Sequence, residues 1–248
     1  MSITTDTPLT RKEIFLQYFE HSPYKDFSFW KDFTLKALDL YKDEFVRLKD
    51  RIKNLDAAPS DKMDFDDNGI PISMNGWDVC EDEAISHDRQ HYNILPLMFI
   101  GAYNDFEKGF KDFVVDTFNF IDKNKTNDKI NSGRMHLENE KKFDKIKDYK
   151  KALCLSKLCC ISESKVLNNK WIAIDNVSEV RNVFAHNENP IPAHKDNRIE
   201  KIRKIVGVAI SQENHVTISD VSVIIQSCIL YEDFMENLIS EIANKLAE

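Results

Sequence analysis

Apolar residues recur every three or four positions over most of the chain, the period of a helix that buries one face. Residues 9–21 place Ile14, Phe15, Tyr18 and Phe19 together. Residues 27–55 repeat the pattern from Trp30 through Phe33, Ala37, Tyr41, Phe45, Leu48 and Ile52 to Leu55, with charges between. Over 56–80 the pattern fails, and Pro59, Gly69, Pro71 and Gly76 intervene. It resumes over 95–122, starting at Pro96, a first-turn residue whose missing N–H costs nothing there. Phe99, Tyr103, Phe106, Phe110, Phe113 and Phe118 make this helix's aromatic stripe, which is how helices bury a face. A lysine-rich helix is predicted over about 137–160, and a further core helix over about 171–187, closed by Asn187, Asn189 and Pro190. Residues 205–218 switch to period two on either side of Gln212-Glu213-Asn214, predicting a small β-hairpin. A last helix over about 220–246, with Ser219 as N-cap, buries Ile224, Cys228, Tyr231, Met235, Leu238, Ile242 and Leu246.

The predicted fold class is therefore all-α. It is an antiparallel helical bundle over 90–248 with a small β-hairpin before its last helix, preceded by an N-terminal helical arm (1–56) and an acidic linker or loop (57–89). Composition agrees: 42% hydrophobic and 31% charged residues build an ordinary core, and 6 Gly with 7 Pro favour long helices over a many-turned β fold.

Charge narrows the partners. A net charge of -8 removes any global basic field for nucleic acid. The charge is uneven, however. Residues 56–83 hold nine acids and one Lys, residues 141–157 seven Lys and two Asp, and residues 195–204 five basic residues and two acids. Phosphate recognition therefore belongs to the second half of the chain. Cys80, Cys154, Cys159, Cys160 and Cys228 form no CxxC pair, and three sit in an apolar run, so they read as structural thiols of a reducing compartment. The N-terminus has no apolar h-region and no stretch reaches a membrane-spanning length, so the expectation is a cytoplasmic chain without membrane contact.

The segment Glu179–Asn187 carries the strongest chemical signal. With Ala173, Val177, Val180 and Phe184 taken as the buried stripe, Asn182 lies opposite, and His186 and Arg181 about 140° and about 80° from its centre. All three point away from the helix's own core face. They bring an imidazole, an amide and a fixed cation to one surface, which suits phosphodiester chemistry. His takes or gives a proton near neutral pH, and Arg presents a planar fork to phosphate oxygens. Asn can orient the imidazole. Such a set needs no metal and no cofactor. The structural reading of the same residues is that His near a helix C-terminus complements the dipole and that the following Asn is a good C-cap.

Arg181-x4-His186, with polar Asn182 directly after the Arg, resembles the motif of the HEPN superfamily, whose helical bundles carry Arg-x4-6-His on a late helix. The resemblance covers roughly residues 90–248. It implies a metal-independent endoribonuclease of the toxin or anti-phage kind that leaves 2′,3′-cyclic phosphate ends, with Arg181 and His186 catalytic and Asn182 in support. It also implies a homodimer whose two motifs share one cleft, RNA as substrate and a possible inhibitory partner protein. Non-catalytic members imply the other reading, a dimerisation or interaction module. The sequence departs from the antitoxin-modified branch: Glu188 stands where that branch has Tyr, so regulation by tyrosine modification does not carry over.

Other candidates are less specific. Glu107, with Asn104 and Lys111 on its side of the aromatic helix, is placed to hold Arg181 or His186, although most such charges are solvated helix edges. Lys141, Lys142, Lys145, Arg198, Lys201, Arg203 and Lys204 are the candidate RNA-backbone contacts. Asp64–Gly69 imitates the start of a calcium loop but has Asn75 where a bidentate Glu is required, so a turn at Asn68-Gly69 fits better. His87 and His91 have a metal-compatible spacing and no identifiable third ligand. No metal site is expected.

Overall fold

A computed structural model describes residues 9–20, 23–53, 68, 76–121, 127–139 and 145–247; side chains of 76–93 and of several residues in 41–53 lie outside that description. The described chain is mostly helical: α1 (Arg11–Glu20), α2 (Ser28–Lys53), α3 (Gly76–Phe120), α4 (Asp128–Asn139), α5 (Ile146–Ser156), α6 (Lys165–Ala185), α7 (Asp196–Ile202) and α8 (Ser222–Ala247). Strands β1 (Val208–Ile210) and β2 (Val216–Ile218) pair antiparallel before α8, with Val208 opposite Ile218 and Ile210 opposite Val216.

Helices α3 and α8 form the centre. Their apolar stripes meet at Phe106 and Tyr231, whose rings stack 4.4 Å apart. Phe110, Phe234 and Trp171 of α6 complete an aromatic cluster with centroids 5.7–5.9 Å apart. Such rings bury large areas in offset and edge-on packing. Of the face expected for α8, Ile224, Cys228, Tyr231, Met235, Leu238 and Ile242 are buried, with Leu246 packed at the margin. Its first turn is capped by Asp220, whose carboxylate accepts from the Ser222 N–H at 2.8 Å, and not by Ser219.

Several boundaries differ from the sequence reading. Helix α3 starts at Gly76 and passes straight through Pro96, so 76–89 is helix and not loop. Proline breaks only one internal hydrogen bond, and a helix this long absorbs that break. The lysine-rich helix is two helices, α4 and α5. They cross closely at Gly133, where a Cβ would stand 2.5 Å from the Ala152 carbonyl oxygen. Arg134 of α4 closes the end of α3 by donating to the Phe118 carbonyl and, at 2.6 Å, to that of Ile121.

The expected N-terminal arm packs, over residues 9–40, against the main helices. Phe15 and Phe19 are fully buried and belong to the same core cluster as α3, α6 and α8. Phe19 packs on Phe113 at 4.9 Å and Phe15 on Phe120 at 5.3 Å. Ile14 and Tyr18, expected on the same face, are exposed instead. At the start of α2, Trp30 lies across Gly101 of α3, where any side chain would collide with the indole.

Candidate functional site

Helix α6 starts at Ser164, whose hydroxyl accepts from the Leu167 N–H at 3.3 Å. Its buried residues are Leu167, Trp171, Ile174, Val177, Val180 and Val183. This corrects the expected stripe, since Val183 is fully buried while Ala173 and Phe184 are only partly so. From Trp171 onward the buried positions are three apart, and each such step turns the ridge by about 60°. The buried face therefore winds round α6, and α6 packs against both α3 and α8.

The helix ends in a left-handed cap. His186 is the C-cap, with its N–H on the Asn182 carbonyl at 3.1 Å. Asn187 follows at φ 53°, and the Glu188 N–H returns to the Val183 carbonyl at 2.9 Å. Asn is the residue after Gly that best tolerates this conformation, so the backbone alone explains Asn187. His186 is exposed, and its imidazole has no partner among the described residues. Beside it, Leu97, Ile100, Phe184, Asn187 and Thr217 line a groove of mixed polarity and about 350 Å³.

Arg181 is held from several sides. Its Nε and Nη2 donate to Asn104 Oδ1 at 3.3 and 3.0 Å, and its Nη1 donates to Asn182 Oδ1 at 3.1 Å. Glu107 Oε2 stands 3.9 Å from Nη2, and the guanidinium lies 5.6 Å from the Tyr103 ring centroid. Glu107 also faces Lys111 at 3.8 Å, so it is an ion-pair partner and not a merely solvated edge. Asn104, Glu107 and Lys111 share one flank of α3, and that flank fixes the fork. A guanidinium has five N–H donors, and three are engaged here, which leaves donors for an incoming anion. Tyr103 had shown in the sequence only as a core aromatic. Burial first, and then the charge of Glu107, push its phenol pKa up. Asn182 turns its amide to Arg181, so its side chain supports the cation and not the imidazole.

Comparison with family models, with curated proteins and with solved structures returns no match to this chain.

The proposed basic contacts divide. Arg198 donates to Glu179 at 2.9 Å and to Glu188, and Lys195 reaches Glu188 at 3.2 Å. Lys201 holds Asp175 at 2.7 Å and Glu179 at 3.3 Å, and Lys147 adds a contact to Asp175 at 3.4 Å. Arg198 and Lys201 thus clamp α7 to α6 and are not free cations for RNA. The sequence showed the basic residues of this lattice, but its acids lie elsewhere, Asp175 and Glu179 on α6 and Glu188 just after it. Glu188 is held below the ordinary carboxylate range by the Arg198 and Lys195 hydrogen bonds. For Asp175, burial works upward, but the Lys201 bond and the Lys147 and Lys201 charges outweigh it, so its pKa is also lowered. Arg203, Lys204 and Lys145 are exposed, the last at the entry to α5. Lys141 and Lys142 lie outside the described residues, as do the Asp64–Asn75 loop apart from Asn68 and the side chains of His87 and His91.

Cys154, Cys159, Cys160 and Cys228 are free thiols. Burial pushes the thiols of Cys159 and Cys228 up to about 12. Among the described residues no helix is long and apolar enough to cross a membrane.

Proposed function

We propose that the chain is a metal-independent endoribonuclease of HEPN type, possessing the character of a toxin or defence effector. The supporting observation is the fixed Arg181 fork, with spare donors, five residues before an exposed and unengaged His186. In this reading a phosphate sits on the free edge of the guanidinium. The His186 imidazole takes the ribose 2′-hydroxyl proton, or delivers a proton to the leaving 5′-oxygen. The 2′-oxygen bonds to phosphorus as the bond to the 5′-oxygen breaks, leaving a 2′,3′-cyclic phosphate and a 5′-hydroxyl. Arg181 balances the charge that grows on the phosphoryl oxygens. His186 is open to solvent in one chain, so a second copy facing it would complete the cleft and exclude water.

The second reading is a non-catalytic dimerisation or interaction module. It is favoured by the left-handed cap at Asn187 and by the side-chain bonds of Arg181, which are equally at home in a purely structural helix end. One experiment separates the two. Wild type, Arg181→Ala and His186→Ala are expressed in cells, total RNA is run on a gel, and each purified protein is assayed with and without chelator and sized in solution. RNA fragmentation that survives chelation and is lost in both variants, at unchanged size, supports the nuclease. Strict dependence on divalent metal rejects the mechanism. Intact RNA with wild type and a changed oligomeric state in the variants supports the interaction module.

A further inference from the structure

Helix α3 carries a second polar flank, independent of Arg181 and His186. Asp105, Lys108, Gly109 and Asp112 fall at i, i+3, i+4 and i+7 and form one side of a cleft of about 240 Å³. The other side is the start of α2 and the turn before it. Tyr24, Phe27, Phe29 and Trp30 supply aromatic surface there, and Asp26 supplies a third carboxylate. Lys108 is the only cation among the lining residues, so the lining carries a net charge of two negative units. Trp30 is locked in place because its indole N–H donates to Asp105 at 2.5 Å. At the mouth, Phe29 is 64% exposed and stacks parallel on Phe33, 43% exposed, at 5.7 Å.

A stacked, solvent-facing aromatic pair beside a carboxylate-lined aromatic cleft is unusual for a free surface, where exposed apolar residues are normally scattered singly. The features select a ligand with two properties. Ring faces and carboxylates together favour an organic cation with an aliphatic stem, through cation–π attraction and charge. The Phe29–Phe33 pair, which leads outward from the mouth of the cleft, favours apolar neighbours on the same ligand.

We infer that this cleft docks a lysine or arginine side chain from a basic, apolar segment of a partner polypeptide, whose apolar residues cover Phe29 and Phe33. The net charge of -8 on the chain speeds encounter with such a segment.

The test uses the full chain and a short synthetic peptide of alternating lysine and leucine, titrated by calorimetry and by tryptophan emission, to which Trp30 contributes from inside the cleft. The key variant is Gly109→Leu. A Cβ at Gly109 is in ordinary contact with Tyr24 Cα at 3.7 Å, so a side chain can start there without a backbone clash, and its remaining carbons take up space in the cleft. Leucine also favours helix over glycine, and net charge is unchanged. Circular dichroism verifies that the variants are folded. Saturable binding to wild type is expected, at least tenfold weaker in Gly109→Leu, several-fold weaker in Asp112→Asn and unchanged in Arg181→Ala. Equal affinity in Gly109→Leu overturns the inference, because general attraction to an acidic protein would then explain the binding. So does equal affinity for a peptide with norleucine in place of lysine, or the absence of binding to wild type. Butylamine binding as tightly as the peptide would replace the polypeptide by a small free amine. Because Arg181→Ala keeps the cleft, loss of RNA cleavage and loss of peptide binding are separable.

Discussion

At Arg181 the guanidinium plane is set by Asn104 and Asn182 at hydrogen-bond distance, with Tyr103 beneath. Asn104 accepts twice from the same fork, so it is the positioning residue on which the proposed chemistry depends most. Asn104→Ala is expected to lower RNA cleavage by about tenfold or more, because a misaligned fork loses transition-state contacts while the charge stays. Its cost in stability is expected to be about 1 kcal/mol or less, since the lost bonds are exposed and water replaces them. Cleavage rates set beside urea midpoints check this. A rate that falls only in proportion to lost folded protein would assign Asn104 a structural role alone.

At the scale of elements, α7 buries Ile199 and Ile202 and is also tied by ion pairs to α6 and to Glu188 just after it. Asp175 and Glu188 have folded pKa values below their unfolded ones. They contribute stability above the unfolded carboxylate range, and that contribution is lost as pH falls through the lowered folded values. Stability is therefore expected to decline below about pH 4.5, the ordinary glutamate value. Glu188→Gln should flatten part of that decline, and added salt should weaken the clamp at neutral pH. Thermal midpoints from pH 7 to 3 for both proteins measure this; identical acid limbs would remove Glu188 from the clamp. The α4–α5 contact makes the opposite kind of prediction. Gly133→Ala gains about 1 kcal/mol of helix propensity. It also drives a methyl into the Ala152 carbonyl, and separating two helices costs about 1–3 kcal/mol. The clash involves backbone, so a net loss in urea midpoint is expected.

These elements also show where sequence reading works and where it stops. The core of α8 was legible because its apolar spacing is helical and its neighbours are polar, whereas only part of the expected face was right in α1 (Phe15, Phe19) and α6 (Val177, Val180). Helix α7 was not legible, since seven residues with two buried apolar positions, Ile199 and Ile202, are too short to show a period. Helix α4 was hidden by its Asn, Ser and Gly residues, which favour other local structures yet here allow close packing on α5. Pro96 mimicked a helix start because local rules cannot see that α3 continues on both sides of it. At the site, the Arg181 and His186 types and spacing were readable, and so was the flank of Asn104 and Glu107. The neutralisation of Arg198 and Lys201 was not, because their partners come from a helix whose relative position only the fold sets.

At the scale of the whole molecule, residues 9–40 decide whether the chain behaves as a bundle with an appendage or as one cooperative unit. Phe19 is the sharpest probe. It is fully buried, packs on Phe113 of α3 at 4.9 Å and on Phe15 at 4.7 Å, and α1 lies along α8. Phe19→Ala is expected to cost about 3–5 kcal/mol, the range for large aromatic truncations in a core. That is a large share of the roughly 5–15 kcal/mol that keeps a domain folded. If α1 belongs to the same cooperative unit, the loss is felt everywhere that unit reaches. Amide exchange should then quicken in the centre of α8, around Phe234 and Leu238, and in α3 around Phe113, as well as in α1. A detached arm predicts the reverse, with faster exchange confined to residues 9–53 and an unchanged midpoint for the rest. Exchange mapped by mass spectrometry on both proteins distinguishes these patterns. Spread into α8 would mean that the N-terminal helices help hold the framework carrying Arg181 and His186, because α6 packs on both α8 and α3.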